Sequence, residues 1–171
     1  MNIEIKKLKF HKGHEGEPCA ECEVWADGVL AGVFAQDEWG GEPRWYTDPG
    51  KEREAYNKLE AYAKSLPSKE YILPINDYKM VLDMDVDLLV DDLIQEAVFL
   101  KNMRKSHKSG IVFWYNAVGA DNFQVVKVRM EETREEALAY VVENYGNKPG
   151  FIVLTDDNFD HFRASIKAGA V

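Results

Sequence analysis

The chain has 171 residues, 46% of them hydrophobic and 30% charged, with a net charge of −9 and two cysteines. Such a length fits a single compact domain with a real core. The negative balance argues against bulk binding to nucleic acid or to an anionic membrane surface. Two cysteines are too few for a secreted disulfide framework, no apolar run reaches the roughly 18 residues of a membrane span, and "MNIEIKKLKF" lacks the apolar stretch of a signal peptide, so a cytoplasmic protein is expected.

Residues 2–10 alternate as a strand whose period slips near Lys6-Lys7, the mark of a bulge. Residues 20–26, "AECEVWA", alternate cleanly, with Ala20, Cys22, Val24 and Ala26 on one face. Asp27-Gly28 then joins this run to a second apolar run, 29–35. Both central residues of a type I′ turn need positive φ, so the pair predicts a hairpin. Gly40-Gly41 and Pro43 break the pattern before a short fourth strand at 44–46. A helix is expected over 51–66, with Tyr56, Leu59, Tyr62, Ala63 and Leu66 on one face and Pro67 closing it.

Residues 67–84, with Pro67 and Pro74, read as a connecting stretch between subregions 1–66 and 85–171 of the single domain. The longest helix follows, about 86–107, acidic at its start and basic at its end, as the helix dipole favours, with Gly110 at the expected C-cap. Strands at 111–118 and 123–130 flank "GADN" as a second hairpin. Thr133 to Glu136 is a capping box that opens a helix stopped by Gly146. A strand at 150–154 and a terminal helix to about Lys167, capped by Asp156 or Asp157, complete the order. The fold class is α+β: an N-terminal antiparallel β-meander plus helix, then a long helix, a β-hairpin, a helix, a short strand and a terminal helix.

Few residues carry an obvious chemistry. His11, His14, Cys19 and Cys22 have the spacing H-x₂-H-x₄-C-x₂-C, whose four donors would suit a tetrahedral zinc ion. The alternation from Ala20 sends Cys19 and Cys22 to opposite faces, so zinc requires a turn at Pro18-Cys19. Without that turn, Cys22 is a core residue and no cofactor is expected. Asp87 and Asp91 share a helical face and could hold magnesium, although acids at a helix start serve the dipole equally well. His161 lies among Asp156, Asp157 and Asp160 and His107 ends the long helix, but no nucleophile signature accompanies any histidine. Phosphate-loop motifs are absent. Trp39, Trp45 and Tyr46, with the acids Asp37, Glu38, Asp91 and Asp92, form the candidate partner-binding set, since aromatic side chains near Gly-Gly loops suit binding surfaces.

The run "VWADGVLAGVFAQDEWGG" followed by "LLVDDLIQEAVFLKNMRK" resembles small accessory proteins of bacteriophages and mobile elements, in which a D-G hairpin precedes a D-x-x-G-G element. The matching residues are Asp27, Gly28, Gly32, Asp37, Gly40 and Gly41, and the resemblance spans 20–41 and, more loosely, 86–105. It carries no catalytic residues. It implies an acidic inhibitor that blocks a host defence or nucleic-acid-processing complex by steric occlusion, with a host protein as partner; a homo-oligomer is compatible with it. The alternatives are a small metal-dependent enzyme or zinc-binding nucleic-acid-processing factor, and a nucleotide binder with its pocket between the first sheet and the long helix.

Overall fold

A computed structural model describes residues 1–73, 78–119 and 122–169. It is an α+β protein with an N-terminal four-stranded antiparallel meander. Its contacts divide the chain into two compact units, 1–97 and 98–171.

In the first unit β1 (Ile3–Lys12), β2 (Pro18–Ala26), β3 (Val29–Ala35) and β4 (Arg44–Tyr46) pair in chain order. The slip foreseen near Lys6-Lys7 is a bulge: the β1–β2 register shifts between Lys6 and Lys9, and Lys7 takes a φ of 52°. Asp27 and Gly28 have φ of 48° and 80°, as the I′ hairpin requires, and Ala26 pairs with Val29. Helix α1 (Lys51–Lys64) covers β2 and β3, burying Ala55, Leu59 and Ala63 against Cys22, Val24, Ala31 and Phe34. Leu59 and Ala63 of the expected face are buried, joined by Ala55, while Tyr56, Tyr62 and Leu66 are half-buried at its flanks.

The stretch 67–84 is more than a connection. It contains β5 (Lys69–Leu73) and β6 (Tyr78–Leu82), an antiparallel pair; Pro74 lies outside the described residues. Glu70 pairs with Lys79 across this hairpin at 2.7 Å. Helix α2 (Val86–Ser109) begins where the Asp85 carboxylate accepts the Leu88 amide at 2.8 Å. It buries Val86, Leu89, Val90 and Ile94 in the first unit.

The second unit is built on β7 (Gly110–Trp114), flanked by β8 (Gln124–Lys127) and β9 (Ile152–Val153). All five residues of β7 are buried, which is why "IVFW" reads as a continuous apolar run rather than an alternation. On one face Val112 and Trp114 meet Phe99 and Met103 of α2 with Phe162 and Ile166 of α4 (Phe159–Gly169). On the other, Ile111 and Phe113 meet Ala137 and Val141 of α3 (Arg134–Tyr145). The capping box forms as expected: Thr133 Oγ1 accepts the Glu136 amide, and the Glu136 carboxylate accepts the Thr133 amide at 2.7 Å.

Several local readings change. Gly110 directly follows the last residue of α2 and is also the first residue of β7, where a Cβ would stand 2.5 Å from the Val126 carbonyl oxygen; the glycine permits close strand approach. The strand expected to 118 ends at Trp114, and Asn116–Val118 form a 3-10 turn; Ala120 and Asp121 of "GADN" lie outside the described residues. Helix α4 starts only at Phe159, after Asn158, whose side chain accepts the Thr155 amide and donates to the Val153 carbonyl.

Candidate functional site: the open face of the first sheet

Cross-strand neighbours share a face. Glu21 pairs with Ala35 and Glu23 with Val33; Arg44 and Tyr46 of β4 face Ala35 and Val33; Lys9 and His11 of β1 face Glu21 and Cys19. These residues line the side of the sheet turned away from α1. At one end of this face lies a hollow of about 300 Å³, lined by His11, Glu21, Asp37, Glu38, Trp39, Arg44 and Tyr46.

The turn 37–41 shapes that hollow, and its D-x-x-G-G sequence has a physical reason. One oxygen of the Asp37 carboxylate accepts the Trp39 amide at 3.1 Å and the Gly41 amide at 3.0 Å; the other accepts from Arg44 at 2.7 Å. Gly40 takes a φ of 75°, and a Cβ on Gly41 would stand 2.9 Å from the Asp37 oxygen. The Gly41 and Trp39 amides, with Arg44, hold the Asp37 carboxyl below the usual carboxylate range. The His14 amide donates to the Glu38 carbonyl at 2.7 Å and ties the β1–β2 loop to this turn. The backbone of Trp39 is thereby held in the turn, and its side chain stays 72% exposed, with His14 stacked on one ring face at 3.9 Å between centroids. Tyr46 is 57% exposed beside it.

Trp45 is different. It alternates with Tyr46 along β4 and points to the core side, packed edge-on between Phe34 and Tyr56, with its indole Nε1 donating to Asp87 at 2.7 Å. Asp91 accepts from the Gln36 amide nitrogen at 2.9 Å, and Asp92 pairs with Lys69. Within the expected partner set, therefore, Trp39, Tyr46, Asp37 and Glu38 come together on the open face. Trp45 and Asp91 instead join α2 to the sheet, and Asp92 joins it to the β5–β6 hairpin.

Burial raises the carboxyls of Asp87 and Asp91, outweighing the hydrogen bond each accepts. A raised folded-state pKa means that the folded state holds its proton more tightly than the unfolded chain. Stability is thus lost as pH rises from the ordinary carboxylate range, about 4, through the folded pKa, and the whole cost stands at pH 7. Asp91→Asn keeps an oxygen for Gln36 and removes the charge. It should raise the melting temperature at pH 7 by about 2–4 °C, a gain of at most about 1 kcal/mol for a half-buried group. The gain should vanish below about pH 4. A lowered melting temperature at pH 7 would contradict the assignment.

The four spaced His and Cys side chains do not converge. Pro18 and Cys19 are extended and pair with Lys12 and His11, so no turn forms there. Cys19 lies on the open face beneath the 37–41 turn, with Sγ 3.8 Å from the Asp37 carbonyl oxygen, while Cys22 lies on the core face. Burial and the Asp91 charge push the Cys22 thiol up to about 11, away from the thiolate that metal ligation or nucleophilic attack needs. His11 approaches Glu38 at 3.5 Å, and His14 stacks on Trp39. Among the described residues no three His, Cys, Asp or Glu side chains are grouped to hold a metal ion, and that includes Asp87 and Asp91.

In the second unit the histidine that gains partners is His107 rather than His161, which is exposed. His107 Nε2 lies 3.0 Å from Asp156, and Arg134 donates to both its Nδ1 and its carbonyl oxygen at 3.0 Å. Because arginine can only donate, Nδ1 accepts, and Nε2 carries the proton directed at Asp156. Both ring nitrogens thus have partners within the second unit. The 49-residue separation from Asp156 hid this contact from local pattern reading.

Among the described residues no helix is long and apolar enough to cross a membrane. No family model, no curated protein and no solved structure matches the chain.

Proposed function

We propose that this protein acts by protein–protein contact, with the open face of the first sheet docking on a host protein and occluding its working surface. The observation that carries this reading is Trp39: a large aromatic side chain left 72% exposed on a turn that four hydrogen bonds to Asp37 and Glu38 hold in place. Rigid, exposed aromatic anchors lose little entropy on binding and dominate interface energies. The resemblance to phage accessory proteins leads to the same reading, an inhibitor of a host defence or nucleic-acid-processing complex. Zinc-dependent and magnesium-dependent readings gain no support from donors that stay apart. A nucleotide site gains none from the Trp39 and Gly41 amides, the natural donors for phosphate, since both are taken by Asp37.

Affinity capture from host lysate tests this reading. The wild-type chain should retain a stoichiometric partner that Trp39→Ala loses while its circular dichroism is unchanged. Equal capture by both would refute it.

A further inference from the structure

Resting on that docking face, we infer that the hollow between Glu21, Glu38, Trp39 and Tyr46 receives a cationic side chain of the partner, an arginine in first place. Its volume of about 300 Å³ is at the small end for ligand pockets and suits one side chain better than a cofactor. The wall charges select the sign. Asp37 is neutralised by Arg44, whereas Glu21 has no ion pair or hydrogen bond from its carboxylate among the described residues and Glu38 has only the 3.5 Å approach of His11. An anion would meet these two carboxylates, with the Trp39 and Gly41 amides already taken by Asp37.

The aromatic groups select the shape. His14 covers one face of Trp39, so the exposure of that indole belongs to its edges and its other face, beside Tyr46. The same sheet face already carries such a contact internally: Lys6 lies over the Trp25 ring, 4.2 Å from its centroid. Trp25 is satisfied by its own chain, and no cation lies over Trp39 among the described residues. A guanidinium, flat and weakly hydrated, stacks on an indole and accepts carboxylate pairing at its edge better than an ammonium does.

The test is a nuclear magnetic resonance titration of the full chain with N-acetyl-arginine methylamide, with the neutral citrulline counterpart as control. The arginine compound should move the Trp39 indole N–H signal, assigned by its loss in Trp39→Ala, and leave that of Trp25 in place. Glu21→Gln should weaken the effect about two- to fivefold, as expected for one partly exposed charge pair, while Glu143→Gln on α3 should not. Equal shifts with citrulline, or equal movement at Trp25, would overturn the inference. Capture separates it from the docking reading. If Glu21→Gln captures the partner as well as wild type does while Trp39→Ala fails, the cation subsite falls and the docking face stands. If Trp39→Ala captures normally, the docking face itself falls.

Discussion

Trp114→Ala should destabilise the protein by about 3–5 kcal/mol, the usual result of emptying an aromatic core site. Trp114 is 1% exposed at the end of the central strand β7, in a cluster with Phe99, Met103, Leu154, Phe162 and Ile166. Its indole nitrogen also donates to the Gly119 carbonyl at 2.8 Å, so truncation leaves both a cavity and an unmet acceptor. Because β7 is buried on both faces, neither neighbouring layer can slide in to fill the space without disturbing the other. Urea denaturation measures the loss. Val142→Ala, at a 49% exposed site on α3, should stay within about 0.5 kcal/mol of wild type. A Trp114→Ala variant as stable as Val142→Ala would show that the core is misplaced.

Trp45→Ala and Trp39→Ala should behave in opposite ways although the residues are six apart. Removing Trp45 takes away the edge contacts with Phe34 and Tyr56 and the donor to Asp87, stranding a half-buried carboxylate. The expected loss is about 3 kcal/mol, the low end for an aromatic truncation because the site is only partly buried, which corresponds to about 6–12 °C in melting temperature. Trp39→Ala removes a side chain that faces water and should change stability by less than about 0.5 kcal/mol. Thermal melts of the two variants decide the matter. Comparable losses would mean that Trp39 is a structural residue, and the docking face would lose its anchor.

This contrast marks how far the sequence could be read. The Asp27-Gly28 hairpin, the slip at Lys6-Lys7 and the Thr133–Glu136 capping box are set by neighbours within a few residues, and all are found. The alternation of β4 already implies that Trp45 and Tyr46 face opposite sides. Which of them meets the core depends on the register with β3, and that is fixed by contacts far along the chain. The Trp45–Asp87 bond joins residues 42 apart and His107–Asp156 joins residues 49 apart, so acids that look like dipole partners or metal ligands find their roles only in the fold. The β5–β6 pair was hidden because its apolar residues follow no clean alternation and Pro74 stands between the two strands in the sequence. The D-x-x-G-G element was visible as a pattern, but its purpose, a carboxylate gripping two amides to hold an indole outward, shows only in three dimensions.

The bulge at Lys7 bears on how a partner can approach. Among the described residues β1 is an edge strand of its sheet, and an edge is the template on which a foreign strand would extend it. The positive φ at Lys7 breaks the regular spacing of its backbone groups, and Lys6, Lys7, Lys9 and Lys12 line the strand with charge. The opposite edge, β4, offers only three residues. Both rims of the sheet are therefore poor at strand addition, which also protects the chain from self-association through cross-β pairing. A partner docking on this sheet, as proposed, would have to be read by side chains projecting from it, with specificity written in their identity rather than in backbone pairing.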